Sequence, residues 1–188
     1  MSKISLKPNS AGTANFEIAA PATNTDRTFT LPDEAGTIIT SASVPTGNAP
    51  SFSARRSTDQ TAIASSVETI IVFNTVDLDT DGGFDTSTGR YTVPTGKAGK
   101  YFLSGGFRTN SSGSMTRCSV TLYVNNVPKK QYNNNQVSGG EASSFVAGVV
   151  DLSTGDFVDI RIFQNSGSSV SAQGPGFKTY FYGFRLSE

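Results

Sequence analysis

The chain has 188 residues, with 15 basic and 15 acidic side chains, no histidine and one cysteine. Its formal net charge of +0 provides no overall basic field that would attract nucleic acid or an anionic membrane. The lack of histidine excludes imidazole bases and histidine-ligated metals. The lone Cys118, on the apolar side of a strand pattern, is predicted to be a buried, reduced thiol. We therefore expect a protein that is not an enzyme, does not bind nucleic acid and does not insert into a membrane.

Residues 1–48 are predicted to form a separate N-terminal segment. They hold few large apolar side chains, and prolines and small residues separate these. Ordering the backbone costs about 1–2 kcal/mol per residue, which so few apolar groups cannot offset. Short strand-like pieces occur at 15–18, 27–31 and 36–40. We expect this segment to be disordered, to lie on the main domain, or to pair with copies of itself. The first residues lack a signal-peptide pattern, so we expect synthesis in a cytoplasm.

Residues 49–188 are predicted to form one head domain built from strands. Apolar stretches alternate with turns rich in glycine and small polar residues, and no stretch shows a sustained 3.6-residue period. About eight such segments in one domain indicate a β-sandwich or jelly roll. The fold class predicted from the residues is therefore all-β, with aromatic side chains carrying much of the core.

The last predicted strand, 177–186, has two different faces. Tyr180, Tyr182, Phe184 and Leu186 share one face and are expected to fill the core of their own chain, because they are large and apolar. Phe181 lies on the other, mixed face. We predict that this face contacts a partner chain, with Phe181 in the interface. The alternative is an outward face that tolerates one exposed phenylalanine.

Several spaced aromatics and glycines resemble the signature of complement-one-q globular heads, which are relatives of the tumour-necrosis-factor (TNF) jelly roll. They occur at 88–94, at 99–102, in the turn at 155–158 and in the closing strand at 180–186. Tyr91 stands where phenylalanine is usual, and the loop before Gly99 is longer than the family pattern. The resemblance covers roughly residues 51–188 and includes no catalytic group. It implies a TNF-like jelly roll that forms a homotrimer.

Residues 19–40 are similar to a short element that is repeated in tail-fibre and other virion proteins of bacteriophages. In those proteins, small strands from three chains intertwine, so that each chain borrows apolar surface from its neighbours. The resemblance implies that residues 1–48 are a β-rich attachment or shaft segment that contacts other virion proteins. It also implies a homotrimer and a location in the virion.

The acidic run at residues 77–81 begins with the pattern of a calcium-binding loop. Asp77, Asp79 and Asp81 alternate and are followed by Gly82, in the D-x-D-x-D-G pattern that offers carboxylate oxygens on a tight turn. Thr88 stands where that loop needs a glutamate. The alternative is a solvated turn in which the aspartates cap backbone N–H groups. We expect no cofactor, with calcium as the other reading.

Three polar segments could bind sugars. Tyr132, Asn133, Asn134 and Asn135 offer a ring to stack on a sugar face and amides to pair with its hydroxyls. Segments 110–114 and 164–169 are similarly rich in amides and hydroxyls. These segments are equally compatible with plain solvated loops.

A glycosidase needs two carboxyl groups at a defined distance, and the chain offers four candidates: Glu141, Asp151, Asp156 and Asp159. Their spacing in the sequence does not give that distance.

The hypothesis that follows is a trimeric bacteriophage tail or head fibre that adheres to the host surface through its head loops, with weak contacts multiplied by symmetry. The alternative is a capsid decoration or vertex fibre that does not bind the host. An enzyme that degrades surface polysaccharide is a third, more remote reading.

Overall fold

A computed structural model describes residues 11, 49–110, 115–134 and 140–187. The predicted shaft segment 1–48 therefore lies outside the described residues, apart from Ala11, and its boundary with the head stays a prediction. The strands of the described part are, in chain order, β1 (Ser51–Arg55), β2 (Gln60–Ile63), β3 (Thr69–Ile70), β4 (Thr75–Asp79), β5 (Phe84–Asp85), β6 (Arg90–Thr92), β7 (Gly99–Arg108), β8 (Cys118–Val124), β9 (Val127–Asn134), β10 (Ser143–Leu152), β11 (Phe157–Gln164), β12 (Val170–Ala172) and β13 (Tyr180–Ser187).

The strands form two main sheets that face each other. The five-stranded sheet has the order β10-β7-β13-β1-β4, and the six-stranded sheet has the order β5-β6-β11-β8-β9, with β3 also paired to β11. A small third sheet joins β12 to β2. All the strand pairs are antiparallel, and neighbours in each sheet are mostly distant in sequence. The predicted all-β jelly-roll sandwich is confirmed.

The core lies between the two sheets because alternate residues of their central strands point inward. Tyr101, Leu103 and Phe107 of β7 are buried from one side, and Val158 and Ile160 of β11 are buried from the other. The predicted burial of Cys118 is confirmed on the neighbouring strand, β8.

Aromatic rings fill one part of this core. The ring of Phe52 stacks on that of Tyr91 with centroids 4.3 Å apart and meets the edge of Phe181 at 4.9 Å. Phe73 lies 5.9 Å from Phe181 on another side. Such ring pairs contribute about 0.5–1.5 kcal/mol each beyond the burial of their surface.

The prediction for the closing strand, β13, is wrong in its assignment of faces. Phe181 is 0 % exposed and belongs to the core of its own chain, so it does not face a partner. Tyr182, Phe184 and Leu186, predicted to be core, point outward. Gly183 explains the reversal, because a Cβ there would lie 2.4 Å from Cδ2 of Leu103. Only the side of the strand that carries glycine leaves room for the inward side chains of the neighbouring strands, Leu103 of β7 and Phe52 of β1.

The two ends of the sandwich differ in what they carry. The chain enters at Pro50, whose carbonyl accepts a hydrogen bond of 2.9 Å from the N–H of Arg185, and we call this the proximal end. Antiparallel pairing places the loops after β7, β9 and β11 at the opposite, distal end. These loops are tied together there: the N–H of Thr109, for example, donates to the carbonyl of Ala142 at 2.7 Å.

Candidate interaction surface

The outward side of the five-stranded sheet carries a continuous set of large apolar side chains, which we call the aromatic face. It arises because the outward residues of β13 are all large and apolar, and because β7 and β10 add Phe102, Phe145 and Val149 on the same side. Its members are Leu78, Phe102, Phe145, Val149, Tyr180, Tyr182, Phe184 and Leu186, and most of them are exposed.

Cross-strand register makes the aromatic face contiguous. Phe102 of β7 pairs with Val149 of β10 on one side and with Phe184 of β13 on the other. The rings of Phe102 and Phe184 lie 5.5 Å apart. Along β13 the ring of Tyr180 stacks on that of Tyr182 at 5.8 Å. Large exposed apolar patches of this kind mark interaction sites in soluble proteins.

Ion pairs lie on the border of the aromatic face rather than within it. Nε of Arg55 on β1 is 3.0 Å from a carboxylate oxygen of Asp77 on β4. Nζ of Lys100 is 3.5 Å from Asp151 at the proximal end, and a third pair joins Arg108 to Glu141 at the distal end. An apolar centre with a charged rim is the usual anatomy of a protein–protein interface.

The three aspartates of the acidic run have different partners. Asp77 is held by Arg55, on the outward side of the sheet. The Asp79 carboxylate instead accepts the backbone N–H of Gly83 at 3.2 Å and of Phe84 at 2.8 Å. Asp79 therefore caps backbone N–H groups, and its oxygens hold the turn between β4 and β5.

Asp81 has its own partners at the proximal end. It accepts a hydrogen bond of 2.7 Å from the Thr80 hydroxyl and lies 3.2 Å from Nζ of Lys97. The hydroxyl is the main reason that the pKa of Asp81 is lowered, and Lys97 adds to it. No group of three or more acidic, cysteine or histidine side chains that could hold a metal ion occurs among residues 49–110, 115–134 and 140–187.

The predicted sugar-binding residues lie on an edge strand and not in a loop. Tyr132, Asn133 and Asn134 are the last residues of β9, while Asn135 lies outside the described residues. Tyr132 and Asn133 are exposed. The Tyr132 ring stacks on that of Phe145, with centroids 5.6 Å apart, and so extends the aromatic face around the sheet edge.

Other amides of the distal loops are used inside the domain. The side-chain oxygen Oδ1 of Asn165 accepts hydrogen bonds from the backbone N–H groups of Thr116 and Arg117 at 3.1 and 2.8 Å. Gln164 is buried and donates to the carbonyl of Ile63 at 3.1 Å. These side chains hold neighbouring loops together, which is a sufficient reason for their polarity.

Two further side chains that could take part in chemistry, Cys118 and Asp159, are buried inside the domain. Burial raises the pKa of the Cys118 thiol to about 11, which leaves it protonated at neutral pH. Asp159 is fully buried and accepts hydrogen bonds from Nε of Arg90 at 3.2 Å and of Arg161 at 2.8 Å.

The other three carboxylates weighed above are each held by a different partner. Asp151 pairs with Lys100, Glu141 pairs with Arg108, and Asp156 accepts a hydrogen bond of 2.7 Å from the amide of Asn125. Each of these carboxylates is therefore engaged in its own structural contact.

Within the described ranges, no helix is long and apolar enough to cross a membrane.

Sequence reasoning missed the aromatic face although its residues were named. The signal that could have found it is the small residues on the opposite side of the same strands. Gly183 of β13 and Gly105 of β7 both point inward, where a Cβ on Gly105 would lie 2.5 Å from Cδ1 of Ile160. When a strand carries glycine on one side and bulky rings on the other, the glycine side is the one that fits against a crowded core. The rings are then left on the outward side.

Comparisons with known proteins agree with this fold. The C1q domain family matches residues 51–186. The globular domain of zebrafish complement 1qA protein is 20 % identical, with a TM-score of 0.52, over 74 % of this chain and 98 % of that one. Murine APRIL is 14 % identical, with a TM-score of 0.57, over 74 % and 100 %. Eiger TNF from S. frugiperda is 13 % identical, with a TM-score of 0.58, over 74 % and 94 %.

A search of curated proteins gives no match. The identities to the solved structures are low, so those structures support the fold alone, whereas the family match extends over most of the chain. Domains of the C1q and TNF type are typically non-enzymatic modules that bind or build. On the residues matched, this chain belongs to the C1q domain family.

Proposed function

We propose that this chain forms a homotrimeric C1q-type head whose subunits join through the aromatic face. The observation that carries the proposal is the uncovered row of rings on the five-stranded sheet. Removing apolar surface from water is worth about 25 cal/mol per Å², so covering this row stabilises an oligomer. The family, and the resemblance of the sequence to TNF-like heads, favour three subunits.

Threefold symmetry requires that two different parts of the surface meet, because a cyclic trimer has heterologous contacts. The aromatic face offers two such parts. On its β10 side, Phe145 and Val149 are exposed next to the ring of Tyr132. On its β13–β4 side, Leu186 and Leu78 are exposed. We place the β10 side of one subunit against the β13–β4 side of the next.

The trimer is tested by charging the aromatic face. The double variant Tyr182→Asp/Phe184→Asp should fold as a monomer, because both side chains are outward in a single chain. Sedimentation velocity gives the mass, and thermal unfolding reports the fold. Val67→Asp is the matched control, since Val67 is even more exposed than Tyr182 and Phe184 but lies before β3, away from this face. A double variant that keeps the mass and stability of the wild type would refute the interface.

The head is proposed to bind rather than to catalyse, and to do so at the distal end. The exposed Asn133 lies towards this end of β9, opposite the point where the chain enters the domain, whereas the ring of Tyr132 lies against Phe145 on the side proposed to meet the next subunit. Three copies of a weak site, held together by symmetry, would bind a repetitive surface with useful avidity. A glycan is the ligand class that suits an exposed amide, because amides pair with sugar hydroxyls.

The resemblance of residues 19–40 carries the wider proposal, a bacteriophage tail or head fibre located in the virion. In this proposal residues 1–48 join the head to other virion proteins. The supporting observation is that sequence pattern. Mass spectrometry of purified particles tests it: the protein should be present at a copy number divisible by three, and its absence from particles would contradict the proposal.

A structural fibre that cements or decorates the particle without binding the host is the second candidate. The internal hydrogen bonds of Gln164 and Asn165 favour it, because those amides are not kept for a ligand. Binding of the purified trimer to bacterial cells and isolated surface glycans separates the two roles. Adhesion requires binding that Asn133→Ala weakens at unchanged stability and unchanged assembly. Absence of any binding supports the decoration role.

A further inference from the structure

The distal turn before β13 holds a phenylalanine with an unusual backbone conformation and a highly exposed side chain. Phe177 has a φ of +61°, in the left-handed region that bulky residues avoid. Among the other described non-glycine residues with positive φ, the side chains are only those of alanine, serine and asparagine. Phe177 is also 70 % exposed, more than any other large apolar side chain in the described part of the chain. Such outliers persist where function requires them.

Phe177 lies on one side of the aromatic face. The guanidinium carbon of Arg55, on β1, is 4.9 Å from the centre of its ring. Arg55 is itself held by Asp77 of β4. The ring therefore projects at the β1–β4 side of the sheet, at the distal end.

A hollow of about 240 Å³ lies on the other side of β13, at the same distal end. Phe145 and Tyr180 line it, together with Gly106 of β7 and the cationic side chains of Arg108 and Lys178. A Cβ on Gly106 would lie 3.1 Å from the Tyr180 hydroxyl and 3.2 Å from Cβ of Phe145, so the glycine keeps the floor open. The hollow is smaller than the about 300–1,000 Å³ of typical small-molecule sites, which favours a single side chain as its occupant.

We propose that Phe177 of one subunit inserts into this hollow of the next subunit. The ring would pack on Phe145 and Tyr180, and the cations at the rim would interact with its π-face. The Phe177 side chain lies on the β1 side of β13, and the hollow lies on its β7 side. A cyclic trimer needs two different contact surfaces of this kind on each subunit. The occupant is thus a second copy of this chain, and the inference rests on the proposed trimer.

The first test removes the ring without straining the backbone. Phe177→Gly should leave the fold of a dissociated subunit as stable as before or more so, because glycine adopts positive φ freely. It should weaken trimer association by about tenfold or more, as is typical for an aromatic side chain that fills a pocket of its partner. Sedimentation equilibrium over a dilution series measures the association. Wild-type affinity in this variant would overturn the proposal.

A double-mutant cycle shows whether Phe177 and the hollow are partners. Phe145→Ala removes one wall of the hollow, and Phe145 is 58 % exposed, so the fold should tolerate the change. If the two residues meet, Phe177→Gly adds little further loss of association to Phe145→Ala. Val149→Ala is the matched control on the same strand and should add in full. Full additivity of Phe177→Gly with Phe145→Ala would overturn the contact.

The outcomes distinguish this inference from the trimer on which it rests. If the wild type is a trimer that Tyr182→Asp/Phe184→Asp dissociates, while Phe177→Gly has no effect, the trimer stands and the Phe177 contact is wrong. If the wild type is a monomer, both are wrong. If the hollow instead binds a small acidic sugar, detected by titration calorimetry with sialic or glucuronic acid, and Phe177→Gly leaves assembly unchanged, the hollow is a ligand site.

Discussion

The two sheets of the sandwich expose aromatic rings in different ways. On the six-stranded sheet, guanidinium groups cover rings: Arg161 lies 3.9 Å from the centre of Tyr123, and Arg90 lies 4.3 Å from that of Phe157. On the five-stranded sheet, Phe184 has another ring beside it and remains exposed. These guanidinium groups cover part of the ring surface and keep their charge towards water. A bare row of rings is adapted to another apolar surface.

The same contrast exists within β13, whose inward residue Phe181 serves the fold and whose outward residues serve assembly. The largest expected effect tests this division. Phe181→Ala should lower the free energy of unfolding by about 3–5 kcal/mol, because it leaves a cavity among buried rings. Phe184→Ala should change it by less than about 1 kcal/mol in a dissociated subunit. Urea denaturation at low protein concentration measures both, and equal losses would remove the contrast.

On the six-stranded sheet, the covering arginines depend on the buried Asp159. Asp159→Ala leaves two guanidinium groups without their shared acceptor, so we expect a loss of about 1–3 kcal/mol of stability. Assembly should be unaffected, because this sheet face is not the proposed interface. Urea denaturation and sedimentation are read together. A variant with wild-type stability but a changed oligomeric state would reverse the roles given to the two sheets.

The buried thiol provides a pH test of the core between the sheets. The pKa of Cys118 is raised from 9.0 to about 11 in the folded chain. The folded state therefore holds its proton where the unfolded state has lost it. This contribution is complete below about pH 9 and is lost as the pH rises towards 11. Cys118→Ala should reduce the decline in stability from pH 8.5 to 10, and an identical decline in both proteins would show that the thiol is not desolvated.

The smallest expected effect concerns one exposed covering arginine. Arg117 lies 4.7 Å from the centre of the Phe163 ring at the distal end of the six-stranded sheet. Arg117→Ala should cost about 0.5–1 kcal/mol of stability. If uncovered rings favour association, this variant should also show weak self-association at high concentration in light scattering. Fully monodisperse trimers at every concentration would show that covering this ring is unimportant.

Much of the fold could be predicted from sequence, because alternation and turn residues define strands directly. The turn at Asp79 and the buried Cys118 followed from the same local chemistry. The orientation of β13 did not, because alternation gives two faces without saying which one is inward. Residue size favoured the face of Tyr182, whereas the available space favoured that of Gly183. That space depends on Leu103 and Phe52 of the neighbouring strands, which the local sequence of β13 does not contain.

The candidate site was harder to predict for the same reason. Tyr132 and Asn133 were expected in a loop, but β9 extends through them because it pairs with β8 along its whole length. The aromatic face is assembled from strands far apart in sequence, such as β7, β10 and β13. Only strand order brings Phe102, Val149 and Phe184 into one row.

Sedimentation equilibrium of the unmodified chain at nanomolar to micromolar concentration tests the central claim most directly. An aromatic face that needs a partner predicts a stable species of three times the chain mass of 19.8 kDa, with dissociation only at the lowest concentrations. A folded single chain at every concentration, with its rings accessible to water, would contradict it.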